Sequence, residues 1–232
     1  QAHSRIRLLS MKRITENNNF YYLTAGLMLM MLIAAVVEQY PGTLAPSIIQ
    51  ASTVVMLAMG VMGFRSTRSR FRAGIAFLVS VLLLMIAVSI VDLSGLRYIH
   101  LLLLLSFFVW TSWVAARQVL FTGSIDGNKI VGAICLYLLL GLVWAMLYLL
   151  IAELWPSAFN GFDQAVWTEN FFAAIYYSFV TLTTLGYGEI TPVLPVARFL
   201  AFAEAIIGVF YIAILVASLV GVRMSEHQAS RQ

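Results

Sequence analysis

A chain of 232 residues that is 62% hydrophobic and only 10% charged lacks the composition of a soluble domain, where about a quarter of the residues carry charge. Its mean hydropathy of +0.93 makes the bilayer, rather than a globular core, the solvent for most side chains. The net charge of +4 sits on arginines and lysines that flank apolar runs, a pattern suited to anionic lipid headgroups and poorly suited to nucleic acid. The single cysteine, Cys135, lies inside an apolar run and excludes an intrachain disulfide. The chain begins at Gln1 with no cleavable signal pattern.

Residues 1–19 form a cytoplasmic N-terminal segment in which Arg5, Arg7, Lys12 and Arg13 alternate with Ile6, Leu8, Leu9, Met11 and Ile14. A helix lying on the inner leaflet and a frayed tail are equally compatible with that mixture. Six stretches then reach the length needed to cross about 30 Å of hydrocarbon as helices: Phe20–Val37, Ala45–Phe64, Ala73–Val91, Tyr98–Val119, Ile130–Ile151 and Val196–Val222. Short linkers join them, with Pro41-Gly42 in the first and Gly95 in the third. Residues 121–129, with Gly123 and Asp126-Gly127, separate a four-span front half (20–125) from a pore half (126–222), and 223–232 form a cytoplasmic tail. Residues 152–167 make an outer turret. Phe171–Thr183 is amphiphilic and too short to cross, so it reads as a re-entrant pore helix, an irregular depth tolerated only inside protein or beside water.

The basic residues set the orientation. With both termini inside, Arg5, Arg7, Lys12, Arg13, Arg65, Arg68, Arg70, Arg72, Arg117, Lys129, Arg223 and Arg231 are cytoplasmic, leaving only Arg97 and Arg198 of the 14 basic residues elsewhere. Glu38, Asp92, Glu153, Asp163, Glu169 and Glu189 then lie outside. The location expected is a cell membrane, the inner one if the source is bacterial.

The loop after the short helix carries the chemistry. Thr184-Leu185-Gly186-Tyr187-Gly188 contains glycines where a β-carbon would resist the backbone angles needed. Successive carbonyls can then face one axial path, and four such segments replace the water shell of a potassium ion with rings of oxygen. Potassium is thus expected at Thr184, Leu185, Gly186 and Tyr187, with the Thr184 hydroxyl adding an oxygen at the inner end. The side chains of Leu185 and Tyr187 are expected to point away and wedge the loop. One such loop per chain requires a homotetramer around an axis.

The run Ser178-Phe179-Val180-Thr181-Leu182-Thr183-Thr184-Leu185-Gly186-Tyr187-Gly188-Glu189-Ile190-Thr191-Pro192 resembles the pore signature of the tetrameric potassium channels. The likeness is close over residues 165 to 222; the rest resembles six-helix channels only in layout. Most members have valine or isoleucine at Leu185 and aspartate at Glu189. The resemblance implies that Tyr176 and Tyr177 form an aromatic cuff bracing the filter, interfacial anchoring being the alternative. It also implies that Glu189, lacking the acidic partner some members carry where Val180 stands, couples to Tyr177. Gly208 falls where the family often has a hinge, with close helix packing as the equal alternative. Below it, Ile212, Val216 and Val220 are the candidate apolar gate.

Glu204 is the one acidic residue well inside a span, where a carboxylate is costly and a functional site by default. The expectation is that it turns from the axis to bond Ser178, Thr181 or Thr183 behind the filter, the rival reading being a cation-attracting ring. Arg198 is a poor partner, because six residues turn a helix by roughly 240°. Thr168 and Asn170 are candidate N-caps of the pore helix, and Glu169 suits its positive end. The fourth span lacks the row of arginines a voltage sensor needs: Arg97 and Arg117 lie about 30 Å apart along the helix, one at each interface. His100 is expected at the surface.

The sequence therefore predicts an all-α membrane protein: six transmembrane helices, with a re-entrant pore helix and a selectivity-filter loop between the fifth and sixth. The expected activity is passive potassium conduction, not voltage-gated. A weakly selective cation channel, or a non-conducting scaffold or sensor with a pore-like fold, are the alternatives. No nucleophile triad, phosphate loop or metal cluster supports an enzyme, and no cofactor is expected beyond potassium in the pore.

Overall fold

The computed structural model describes residues 19–40, 42, 44–63, 68–90, 94–120, 127–163 and 166–229. Expectations for residues 1–18, the loop 121–126 and the last three residues lie outside this description, as do all side chains beyond Ser218. Among the described residues seven helices occur, in the order α1 (Asn19–Gln39), α2 (Ala45–Gly63), α3 (Arg68–Ile90), α4 (Ser94–Leu120), α5 (Gly127–Leu154), α6 (Phe171–Leu182) and α7 (Pro195–Ala229). Among the described residues, five of them are long and apolar enough to cross a membrane, so the chain has the make-up of a multi-pass, all-α membrane protein.

One expected length changes. The stretch expected over Ala45–Phe64 is a helix over Ala45–Gly63, whose 19 residues rise about 28 Å, near the usual hydrocarbon thickness. The last helix, expected over Val196–Val222, instead runs 35 residues to Ala229. It starts on Pro195, whose missing N–H is one that no helix pairs at its first turn.

Four hydroxyls inside the apolar helices are satisfied locally. Ser52 and Thr53 donate to the Ile49 carbonyl at 2.8 and 2.9 Å, Ser80 to Ala76 at 2.8 Å, and Ser106 to Leu102 at 2.7 Å. Each can therefore sit in a dry environment without an orphan donor.

Consecutive front-half helices pack in sequence, and α1 and α4 both lie along α5. The two halves share one core: Leu27 and Met30 of α1, Leu104 and Phe107 of α4, and Leu139 and Leu142 of α5 belong to a single buried cluster. Phe171 and Ile175 of α6 join the same cluster, so the front half reaches the short helix as well.

A small element not foreseen lies beside α6. Phe159–Asn160 (β1) pairs antiparallel with Thr191–Pro192 (β2), Phe159 opposite Pro192 and Asn160 opposite Thr191. Gly161 closes the turn at φ 88°, where a β-carbon would lie 2.7 Å from the Glu189 carbonyl oxygen. The turret thus clasps the chain just after residue 188.

Candidate functional site

Helix α6 is 12 residues long and buries Phe171, Ala174, Ile175, Ser178 and Leu182. Its start differs from expectation. Asn170 precedes it but makes no side-chain cap. The Asn170 amide instead accepts from the Asp163 backbone N–H at 2.9 Å and donates to the Asp163 carbonyl at 2.8 Å. Thr168, the other capping candidate, lies two positions too early. The amide of Asn170 is used to hold the turret loop against the helix, which a cap bond would forbid.

At the other end, the Leu185 N–H reaches back to the Val180 carbonyl at 2.9 Å, and the chain turns out of the helix. Three positive φ angles then alternate with two ordinary ones: Thr184 at 59°, Gly186 at 61° and Gly188 at 92°. The glycines accept this region without strain, whereas a β-branched threonine there is uncommon. Thr184 is the one described non-glycine residue with positive φ. Residues 183–189 are all exposed in the single chain. Leu185 and Tyr187, expected to wedge the loop, are 54% and 65% exposed. No wall of the kind they were expected to meet is supplied by the described residues of one chain.

Behind the loop the packing is dense. Tyr177 is buried and sits 4.8 Å from the Tyr148 ring and 5.6 Å from Phe159, centroid to centroid. Tyr176 is the residue that donates to Glu189, at 3.0 Å. The expected coupling of Glu189 to Tyr177 is therefore corrected. Neighbouring positions on a helix diverge by about 100°, so only one of two adjacent tyrosines can face the loop's outer end.

Glu204 of α7 is completely buried. Ser178 of α6 lies 2.5 Å from its Oε1, and the Tyr148 hydroxyl of α5 donates to its Oε2. Ser178 Oγ also lies 2.7 Å from the Gly141 carbonyl of α5. Of the three α6 partners expected, Ser178 is the one used; Thr183 folds back onto the Phe179 carbonyl at 2.6 Å. Arg198 binds the Pro192 carbonyl at 3.2 Å and does not meet Glu204 in a hydrogen bond. Tyr148 was missed by sequence reasoning. Its only signal was a phenol deep in an apolar run, which needs a partner when buried.

Gly208 sits where α7 crosses the C-terminal end of α6. A β-carbon there would overlap the Leu182 carbonyl oxygen and press its carbon at 3.0 Å. The Tyr137 hydroxyl donates to the same carbonyl at 3.3 Å. Close packing accounts for this glycine without any bend. Ile212 and Val216 are 45% and 53% exposed in the single chain, and the Val220 side chain lies outside the described residues.

Helix α4 carries Arg97 and Arg117 at opposite ends. Arg97 pairs with Glu153 of α5 at 2.9 Å, and Arg117 lies 4.9 Å over the Trp113 ring. His100, expected at the surface, is 2% exposed and meets Trp167 edge-on at 5.4 Å. Trp167 covers this first stretch of α4, which a span boundary drawn from hydropathy alone does not anticipate.

The crossing at Gly208 has a measurable consequence. Gly208→Ala must push α7 off α6, since the obstacle is backbone and cannot rotate away. Overpacking of this kind costs roughly 1–3 kcal/mol. We expect a lower melting temperature in detergent. A variant with wild-type stability would show the contact to be unimportant.

A comparison with protein-family models matches residues 132–224 to the model described as an ion channel. No curated protein and no solved structure matches the chain. The matched segment runs from early α5 to the far part of α7 and holds the loop, the Glu204 cluster and the Gly208 crossing. Residues 132–224 are therefore similar to the ion channel family, in keeping with the potassium-channel resemblance of the loop they contain.

Proposed function

We propose that this protein is the subunit of a homotetrameric, potassium-selective channel, with Thr184 to Gly188 as its filter. The observation that carries this reading is the alternation of positive φ at Thr184, Gly186 and Gly188, directly after a short helix. Alternating handedness turns successive peptide groups toward one side. Four copies would then ring a dehydrated cation with carbonyl oxygens, the Thr184 hydroxyl closing the inner end. Helix α6 acts as the re-entrant pore helix, its partly negative C-terminal end favouring a cation in the cavity. Helices α1 to α5 and α7 make six spans with both termini cytoplasmic, and the membrane is the inner one if the source is bacterial.

The tetramer is supported by what one chain leaves bare. Phe199, Phe202, Ile206, Phe210, Ile214 and Val216 of α7 are all at least half exposed. The same copies would cover Leu185 and Tyr187 and line the axis with Ile212 and Val216. Glu204, Tyr176, Tyr177 and Glu189 support the filter; none of them conducts. Anionic lipids suit the basic inner face.

Purified protein in liposomes is expected to pass potassium and rubidium well and sodium poorly. Gly186→Ala is expected to abolish flux while the tetramer stays assembled. No atom within 4 Å obstructs a β-carbon there, but φ of 61° is unfavourable with one. Equal sodium and potassium permeability would move the reading to a weakly selective cation channel. Normal flux in the alanine variant would remove the pore assignment.

Open probability in planar bilayers is expected to change little with voltage. Moving one charge through 100 mV is worth about 2.3 kcal/mol. Arg97 is held by Glu153, and the only other arginine of α4 lies in its last turn. A steep response, equivalent to several gating charges, would reveal a sensor elsewhere.

The Glu204 cluster separates bracing from conduction. Glu204→Gln can still accept from Tyr148 through its carbonyl oxygen and donate through its amide to Ser178, whose hydroxyl keeps the Gly141 carbonyl as acceptor, so single-channel conductance is expected to be near wild type. Tyr148→Phe leaves a buried oxygen unpaired at a cost of roughly 1–3 kcal/mol, and is expected to lower stability or open probability. A large conductance loss in Glu204→Gln at low potassium, rescued at high potassium, would favour a charged ring in the path.

A further inference from the structure

We infer that Glu204 carries a proton at neutral pH, and that this proton completes a hydrogen-bond relay that latches α5, α6 and α7 together until alkaline conditions remove it. The proton assignment stands on the packing alone; its effect on conduction rests on the channel reading above.

Three oxygen–oxygen contacts run through the cluster. Tyr148 Oη meets Glu204 Oε2, Glu204 Oε1 lies 2.5 Å from Ser178 Oγ, and Ser178 Oγ lies 2.7 Å from the Gly141 carbonyl oxygen. Each is at or below the ordinary O–H···O length, so each needs a hydrogen between its oxygens. Tyr148 and Ser178 bring one hydroxyl hydrogen apiece, and the Gly141 carbonyl brings none. Two hydrogens cannot serve three contacts. A single hydrogen shared between the two oxygens that face Ser178 would be bent away from both, and bent bonds are not this short. The third hydrogen is therefore the carboxyl's own. The relay then runs in one direction: Tyr148 donates to Oε2, the Oε1 hydroxyl donates to Ser178, and Ser178 donates to Gly141.

The surroundings favour the neutral acid. Glu204 has no exposed surface, and burying a charge is far more costly than burying a hydrogen-bonded neutral group. Among the described residues, the titratable side chains close enough to interact with it electrostatically are Tyr137 and Tyr148 of α5 and Tyr177 of α6. All three are phenols, uncharged at neutral pH, and none offsets a carboxylate. On α7 itself Arg198 is turned to the Pro192 carbonyl. The β2 residues packed against α7, Thr191 and Pro192, have no titratable side chain.

Ionisation has a defined geometric consequence. With the proton gone, Ser178 must turn its one hydrogen to the carboxylate. Ser178 Oγ and the Gly141 carbonyl oxygen are then 2.7 Å apart with no hydrogen between them, two partial negative charges in contact. The helices have no slack at this point, since a β-carbon on Gly141 would lie 2.6 Å from the Phe179 ring of α6. The repulsion is relieved by α6 moving off α5, and the loop that follows α6 moves with it. Proton loss thus unlatches the short helix.

The test is infrared difference spectroscopy of the whole protein in nanodiscs, wild type against Glu204→Gln, titrated from neutral to alkaline pH. At neutral pH wild type is expected to show the carbonyl stretch of a protonated carboxyl, which the glutamine variant lacks. Tyr148→Phe is expected to move that band to higher frequency, because the carbonyl oxygen loses its donor. As pH rises the band is expected to give way to carboxylate stretches. Potassium flux from liposomes is expected to be lost over the same interval in wild type and retained in Glu204→Gln. Because the infrared signal involves no flux, failure of the proton assignment and failure of the channel reading remain distinguishable. Melting temperatures check folding, and if Glu204→Gln does not assemble, wild type at alkaline pH supplies the reference spectrum. Three results would overturn the inference: Glu204 carboxylate stretches at neutral pH, a band unmoved in Tyr148→Phe, or wild-type flux that persists once the band has gone.

Discussion

A carboxyl group with no water around it governs the arrangement behind residues 183–189. Glu204 has no exposed surface, and an isolated carboxylate in such a place would cost many kcal/mol. It persists because two hydroxyls converge on it, one from α5 and one from α6. Neither hydroxyl can move without costing the acid a partner, and the acid cannot move without stranding the Tyr148 hydroxyl, Ser178 keeping the Gly141 carbonyl as acceptor. The three helices are thereby fixed at one height. Below that point Gly208 lets α7 touch the end of α6, and Tyr137 holds the same carbonyl from α5. The two contacts on α6 are about one helical turn apart, so the angle of the short helix is set as well as its position.

That constraint matters because the loop itself carries so little. In a single chain residues 183–189 are exposed, and Thr184 occupies a backbone region that its β-branched side chain disfavours. A strained segment persists only where its surroundings over-determine it. Before it in the chain the surroundings are the end of α6. After it they are the β1–β2 clasp, Gly161 against Glu189, and the bond from Tyr176 to the Glu189 carboxylate. The loop is gripped at both ends and left bare along its length, which is the arrangement a cation path between identical copies would need.

Much of this was legible in the sequence, for reasons that differ by element. Long apolar runs announce helices because the bilayer leaves the backbone no other solution. The loop was legible because its glycines and tyrosine recur in a defined order after a short amphiphilic stretch. Glu204 was legible because charge inside an apolar run is rare enough to demand a partner. The partner itself was only half legible. Ser178 lies on the one nearby polar helix, whereas Tyr148 stands 56 residues away on α5 and reads as an apolar residue until α5 and α7 are seen to cross. The swap of Tyr176 for Tyr177 at Glu189 has the same origin. Adjacent residues on a helix look alike in sequence, and only the helix rotation decides which faces the loop. The capping expectation at Asn170 failed because a tertiary use of its amide, holding Asp163, outcompeted the local one.

The front half fits the same logic. It is not a separate body resting against the pore, since Leu27, Phe107, Leu139 and Ile175 belong to one buried cluster that spans α1, α4, α5 and α6. Its interactions with α5 are apolar along much of their length, and near one end Arg97 meets Glu153 and the Tyr98 hydroxyl donates to the Glu153 carbonyl at 3.1 Å. Apolar contact in lipid is weakly directional, because the tails are as apolar as the side chains they replace. The polar contacts at the turret end therefore decide how the front half is registered on the pore. A signal passing between the halves would be carried most directly there, where a change of charge alters a specific bond rather than one packing contact among many.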